Sequence, residues 1–293
     1  NGTNWTAVNA LNTGKQGASA FGTSTSAINA GGATPPVSAL VEKWNGTNWT
    51  EVNDLNTART EGGAAGADSD SGLYFAGNAP GKSALTESWN GTNWTEVNDL
   101  NTARNDLEAG FGTQPAALIA GGEDGSGYVS IVELWNGTNW AETTNIPTAS
   151  SKGAGTGTTS NGSIFGGEAA GGSPSRIGTS YEWEGAGAAV GAWATGGNLN
   201  TARAGVSGAG TQTAGIAFGG KTPPNNYVGN TETYDGSSWT EVNDLNTGRY
   251  NTGSATAGTQ TASLCFGGGT SGPDNYYALC ETFNGTNWTE VND

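Results

Sequence analysis

The chain has 293 residues, 51 of them Gly and 12% of them charged, and ten basic against 26 acidic side chains give a net charge of −16 with no His. That balance argues against nucleic acid or an anionic membrane as the main partner, because both reward clustered Lys and Arg. The lack of imidazole removes the commonest general base, the Ser-His-Asp arrangement and His-ligated metals; no run reaches the roughly 18 apolar residues that a membrane-spanning helix needs.

The chain starts at Asn1 with no Met anywhere, as expected of a processed chain or a segment of a longer one. Its opening phrase, Asn-Gly-Thr-Asn-Trp-Thr at 1–6, returns at 45–50, 90–95 and 284–289, with weaker copies at 136–141 and 235–240 and a stretched one ending at Trp193. The Trp positions 5, 49, 94, 140, 193, 239 and 288 are 44, 45, 46, 53, 46 and 49 residues apart, which makes the fold a set of similar units. The units run approximately 10–54, 55–99, 100–145, 146–198, 199–244 and 245–293, in one domain; 1–9 is an extra outer strand.

Within a unit, four short runs bounded by Gly, Asn or Pro predict a four-stranded antiparallel meander, strands a to d. In the fifth these are 204–210, 214–218, 230–234 and 239–245. Strand a is small and Gly-rich. Strand b is an uninterrupted apolar run, as at 116–120, 216–218 and 264–266, which suits burial on both faces. The c–d turn carries Asn-Gly, a hairpin signal. Strand d alternates, as in Trp94-Thr-Glu-Val, which suits one wet side. A wedge of this kind cannot bury its faces alone, whereas six in a ring can, so the expected fold is all-β, a six-bladed β-propeller. Because six sets of strands a to c meet seven d-like segments, one of Asn4–Val8 and Asn287–Val291 is expected in the sixth blade. The other lies outside the ring, continues beyond this chain, or completes a neighbouring subunit.

A paired Gly ends strand b at 31–32, 121–122, 166–167, 219–220 and 267–268, with Gly77-Asn78 in the second unit. Glu and an aromatic follow as Glu42/Trp44, Glu87/Trp89, Glu133/Trp135, Glu182/Trp183, Glu232/Tyr234 and Glu281/Phe283. A turn, a Trp and a basic residue complete the unit. This pattern resembles the kelch repeat, whose units form four-stranded propeller blades. The resemblance covers essentially the whole chain and speaks to fold, since such propellers serve many unrelated roles. Lys15, Arg59, Arg104, Lys152, Arg203 and Arg249 recur with the six Glu, and a ring of structural ion pairs is expected; an anion-binding basic ring would need those cations unpaired.

Cys265 and Cys280, the only cysteines, fall in strands b and c of the last unit; a disulfide is favoured over two buried thiols and would suit a secreted or particle-surface protein. Copper oxidases with kelch-type repeats, resembling galactose oxidase, need His ligands that this chain lacks. Asp68-Ser-Asp70-Ser-Gly72 resembles half a calcium loop without its distal Glu, so no metal or cofactor is expected. The overlapping Asn-Gly-Thr and Asn-Trp-Thr sequons follow from repeated turn chemistry. No catalytic residue is assigned, because nearly every Glu recurs with the repeat.

The loops between strands b and c differ most, at 33–38, 79–83, 123–130, 168–179, 221–229 and 269–278. They carry Tyr128, Arg176, Asn225, Asn226, Tyr227, Asp274, Asn275, Tyr276 and Tyr277, groups suited to protein or glycan recognition; tolerant surface loops are the bland alternative. In kelch proteins the b–c and d–a connections share one face, which the resemblance makes the binding face. The composition and near-identical repeats are similar to kelch-like repeat proteins of marine bacteriophages and bacteria. The expectation is therefore a non-enzymatic binding or structural protein, extracellular or on a virion surface as a tail, fibre or attachment component, with sister subunits as possible partners. The alternative is a secreted carbohydrate-active enzyme using loop carboxylates.

Overall fold

In the computed structural model the described residues are 8–34, 36–107, 109–169, 175–185, 192–254, 258–270 and 277–291, with the backbone alone for 192–194. They form no helix and six four-stranded antiparallel sheets, each with its strands a, b, c and d in chain order. The first sheet is Ser19–Thr23, Ser26–Ala30, Val41–Trp44 and Trp49–Val52; the second is Gly63–Asp68, Ser71–Phe75, Thr86–Trp89 and Trp94–Val97. The third is Ala109–Thr113, Ala116–Ala120, Val132–Trp135 and Trp140–Glu142; the fourth is Ala154–Gly157, Asn161–Phe165, Ser180–Glu184 and Ala192–Thr195. The fifth is Ser207–Thr211, Ala214–Phe218, Thr231–Tyr234 and Trp239–Val242; the sixth is Gly253–Ser254, Ser263–Phe266, Cys280–Phe283 and Trp288–Val291.

The turns follow from local chemistry. At the c–d turn the Asn45 side-chain oxygen accepts from the Thr47 and Asn48 amides at 2.9 Å each, with Gly46 at φ 89°, and Asn90, Asn136, Asp235 and Asn284 do the same. The first Asn of these sequons is thus occupied in an Asx turn. At the a–b turn Gly22 has φ 116°, and a Cβ there would meet the Ser26 carbonyl at 2.3 Å.

Strand b is buried on both sides because its alternate residues feed two different cores. In the third sheet Ala117 and Ile119 join a cluster with Leu73, Phe75 and Trp140, while Leu118 and Ala120 join one with Ile164, Tyr181 and Trp183. Each of six such clusters lies between two sheets, and one joins Leu264, Phe266 and Val291 of the sixth sheet to Leu11, Trp44 and Trp49 of the first. No sheet therefore owns a core by itself, which gives the described chain a β-propeller-like architecture. Strand d contributes its Trp inward and leaves Thr and Glu in water, as in Trp49-Thr50-Glu51. The Trp indole reaches the preceding sheet: Trp140 donates to Thr86 at 3.0 Å, Trp239 to Ser180 at 2.9 Å and Trp288 to Thr231 at 2.8 Å.

The ion pairs are fewer than the sequence suggests. Arg59–Glu87 and Arg104–Glu133 at 2.7 Å, Arg249–Glu281 at 3.0 Å and Arg203–Glu232 are fully buried, and the Asn three residues before each Arg holds the same carboxylate. Lys15 sits in this register in the first repeat but donates to the Leu40 carbonyl at 2.8 Å, and Glu42 is held by Asn12. In the fourth repeat the register shifts. Trp183 faces Trp193 as Trp44 faces Trp49, so the position matching Glu42 is Tyr181, and Glu182 accepts instead from Tyr234 at 2.7 Å. The residue matching Arg59 is Ser150, since Gly122 donates to its carbonyl as Gly32 does to that of Arg59. Lys152 is two positions further on.

Two other expectations are corrected. Cys265 and Cys280 are free and buried. Cys265 opposes Glu281 and Cys280 opposes Phe266, so the thiols point to opposite faces, one into the core shared with the fifth sheet and the other into that shared with the first. In the second unit the pair matching Gly31-Gly32 is Ala76-Gly77, both at positive φ, rather than Gly77-Asn78. Trp288–Val291 is the outer strand of the sixth sheet; of its N-terminal counterpart Asn4–Val8, residues 4–7 lie outside the described residues.

Candidate functional site

In each d–a connection, just before strand a, the chain makes one residue of left-handed backbone. These are Gly17 at φ 61°, Glu61 at 58°, Asp106 at 45°, Lys152 at 60°, Gly205 at 64° and Asn251 at 51°. Their peptides are joined from sheet to sheet. Glu61 N–H donates to Gly17 C=O at 2.8 Å, Asp106 to Glu61 at 3.1 Å, Lys152 to Asp106 at 3.1 Å, Gly205 to Lys152 at 2.8 Å and Asn251 to Gly205 at 3.0 Å. Four of the six positions carry side chains in a conformation that costs about 1–2 kcal/mol outside Gly. Backbone strain of this kind concentrates at functional sites, and here it is over-determined by the peptide chain of hydrogen bonds.

All six residues line one cavity of about 150 Å³, together with Leu107 and Val206. A second space of about 150 Å³ is lined by the strands a, with Ser19, Gly63, Gly110, Gly155, Gly208 and Ser254 from the six sheets. Charge around the first cavity is uneven. Asn105 donates to Glu61 at 2.8 Å, and Lys152 lies 3.5 Å from Asp106 and 3.4 Å from Glu168. Burial and the neighbouring Glu61 charge push Asp106 up to about 6 despite Lys152. Burial lowers Lys152, but Asp106 and Glu168 outweigh it and hold the amine above its ordinary range.

The described sequence-predicted residues lie on this side of the molecule, where the d–a connections bridge to the b–c loops at Thr60–Asn78, Asn105–Glu123 and Ala204–Lys221. Three are tied into one network: Tyr128 donates to Glu168 at 3.0 Å, Arg176 lies 3.6 Å from Glu168, and Arg176 donates to Asn225 at 3.3 Å. The Arg176 side chain is 2% exposed, so in this arrangement it braces the face. Asn226 is exposed, in a two-residue ladder with Thr222. Tyr227 packs on Tyr250 with centroids 5.1 Å apart, and Lys221 lies 5.1 Å from the Tyr250 ring. Tyr277 hydroxyl is 3.5 Å from that of Thr270. Asp274, Asn275 and Tyr276 lie outside the described residues.

Glu61, Asp106, Lys152, Asn251, Glu168 and Tyr250 were missed. A signal existed in five repeats: the position two after the recurring cation reads Gly17, Glu61, Asp106, Gly205 and Asn251 while its surroundings repeat, whereas in the fourth Lys152 was itself read as the cation. Asp68 and Asp70, the half calcium loop, serve locally; Asp68 accepts from the Asp70 amide at 2.8 Å, and Asp70 pairs with Lys43 at 2.6 Å. Chemically, the cavity offers carboxylate acceptors, an amine, an amide and a nearby tyrosine pair, a set suited to hydroxyl-rich ligands.

No family model matches the chain, and no curated sequence matches it. Among solved structures, that of YjhT is similar, with a TM-score of 0.76 at 14% identity, covering 97% of this chain and 99% of that one. At this identity the likeness is one of fold alone, and it extends over nearly the full length of both chains.

Proposed function

We propose that the chain is a closed six-bladed propeller of kelch-like blades that binds a glycan, without turning it over, through the face bearing the b–c loops. One observation carries the reading: at the left-handed register the six units diverge in charge around a single cavity. Pseudo-symmetric units need no such divergence for closure, whereas an asymmetric ligand does. Glu61 and Asp106 would accept from sugar hydroxyls, Lys152 and Asn251 would donate, and the stacked Tyr227 and Tyr250 offer an aromatic surface beside them. The expected setting is extracellular or a virion surface, where such a face serves attachment.

The test is a glycan array on the intact protein, followed by calorimetry on the best binder. Glu61→Gln with Lys152→Met should weaken binding at least tenfold while the melting temperature stays within a few degrees. Unchanged affinity would overturn the assignment of this cavity. A second reading, a carbohydrate-active enzyme, is favoured by Asp106 at about 6, a value at which a carboxylic acid can deliver a proton near neutral pH. Release of a shortened sugar, abolished in Asp106→Asn, would select that reading over binding.

A further inference from the structure

Four of the c–d turns bring an electrophile, a nucleophile and a pair of hydrogen-bond donors together within one dipeptide. Asn45-Gly46, Asn90-Gly91, Asn136-Gly137 and Asn284-Gly285 lie between strands c and d of the first, second, third and sixth sheets, in neither strand's ladder. In each, the side-chain carbonyl oxygen of Asn accepts two backbone N–H groups, from the residues two and three further on, at 2.8–3.0 Å. Two amides aimed at one carbonyl oxygen stabilise the negative charge that develops there when its carbon is attacked. The adjacent nitrogen belongs to a Gly at φ 89–92°, with no Cβ to cover it. No described residue holds the Asn Nδ2, and Asn45, Asn90 and Asn136 are exposed.

We propose that these four asparagines are self-modifying sites, which become acids through a cyclic imide without any enzyme. The Gly nitrogen loses its proton and bonds to Asn Cγ, and the displaced carbonyl electron pair moves onto Oδ1, where the two amides receive it. Return of that pair expels Nδ2, which takes up the proton and leaves as ammonia. Water then adds to one of the two imide carbonyls, breaks the bond from that carbonyl to the Gly nitrogen and returns a proton to the nitrogen. Reaction at the side-chain carbonyl gives Asp, and reaction at the backbone carbonyl gives its β-linked isomer. Each conversion adds one negative charge, so all four take the net charge from −16 to −20. The c–d turns lie at the opposite end of each sheet from the b–c loops, so the change is remote from the cavity.

Two other dipeptides of the chain mark the limits of this chemistry. In the fifth sheet the same turn already holds the acid: Asp235 accepts from the Ser237 and Ser238 amides at 2.8 Å each and from the Ser237 hydroxyl at 2.8 Å, with Gly236 at φ 93°. These bonds, led by that from the Ser238 amide, hold its carboxyl down to about 2, so the turn accepts a carboxylate. Asn161-Gly162 is the same dipeptide placed in strand b of the fourth sheet. There Gly162 is paired with Gly157 on one side and Trp183 on the other, which puts its amide in the ladder. Asn161 Nδ2 donates to Gln212 at 3.5 Å, and among the described residues no backbone N–H reaches the Asn161 side-chain oxygen. Gly is needed at 162 for a different reason, since a Cβ there would meet Phe111 at 2.5 Å.

The test keeps the intact protein at about pH 8.5 and about 37 °C beside the free peptide of residues 88–94, and follows both by mass spectrometry of digested samples and by ammonia release. Asn45, Asn90, Asn136 and Asn284 should each gain about 1 Da at a rate at least equal to that of Asn90 in the peptide, and Asn161 at less than about a tenth of it. Anion exchange should separate the aged protein into species with up to four added charges. Slower conversion at the turns than in the peptide, or conversion at Asn161 as fast as at the turns, would overturn the proposal. Asn90→Asp, which places the product in its turn, should leave the other three rates unchanged and the melting temperature within about 2 °C of the parent. A larger loss would show that the turn rejects the acid it is held to form.

Discussion

Replacing Arg59 by Met removes one member of a pair in which both side chains are at most 1% exposed. The guanidinium donates to Glu87 at 2.7 Å and to the carbonyls of Leu85 at 2.6 Å and Ala76 at 3.2 Å, so its loss leaves a buried carboxylate without its cation and two carbonyls short of a donor. Breaking such a pair costs about 3–5 kcal/mol. The Asn56 and Thr57 donors remain on Glu87, which places the expectation near the lower end. With 293 residues at about 2.1 cal/mol/K each, the unfolding entropy is about 0.6 kcal/mol/K, so the melting temperature should fall by about 5–6 °C. Thermal unfolding followed by Trp fluorescence and calorimetry measures it. Glu87→Gln should cost less, and the double variant Arg59→Met/Glu87→Gln should cost clearly less than the sum, because the second change removes the charge that the first left stranded. If Arg59→Met costs under about 1 kcal/mol, or the two effects add within about 0.5 kcal/mol, the pair does not hold the linker to its sheet in the way described.

Lys15 supplies the contrasting case, for burial lowers its amine to about 8 although Glu42 opposes the shift. The folded state then binds fewer protons than the unfolded state between about 8 and 10.5, so this group makes stability rise with pH across that window. Lys15→Arg, the residue of four other repeats, should raise stability by about 1 kcal/mol near pH 7 and abolish that rise, as read from melts between pH 7 and 10. Asp106 has the opposite slope: with its folded value near 6 and its unfolded value near 3.8, stability should fall as pH rises through that interval. A carboxyl-carbon titration should place the midpoint near 6, and Asp106→Asn should flatten the stability profile between 4 and 6; a midpoint near 4 would remove the basis for proton delivery there. Finally, an unreduced sample should show two thiols per chain after denaturation and almost none before it, since both are buried; fewer than two after denaturation would contradict the facing of Cys265 and Cys280.

Much of the fold was legible because it is written locally and six times over. Asn-Gly turns, small strands a, apolar strands b and alternating strands d each follow from backbone preference and side-chain period, and the recurring Trp marks the outer strand in every unit. The Arg–Glu pairing was legible in four units for the same reason, while the Asn that holds each carboxylate was seen only in the structure. In the fourth, one residue of offset moved Glu182 to the opposite face of its strand, and Lys152 followed the left-handed register instead. The Cys pair was misjudged on the same ground: Cys280 lies opposite Phe266, one residue past Cys265, and successive residues of a strand belong to different cores.

What the chain determined by itself is therefore the repeated unit, its four strands and the residues that link one unit to the next, because those depend on contacts within about 45 residues. The tertiary structure alone decided which side chains converge on the cavity. Gly17, Glu61, Asp106, Lys152, Gly205 and Asn251 meet only because each sits at the same left-handed bend and passes its peptide hydrogen bond to the next sheet. The charges of Glu61, Asp106 and Lys152 act on one another across gaps of 45 and 46 residues, a full repeat apart, a separation that no local pattern encodes.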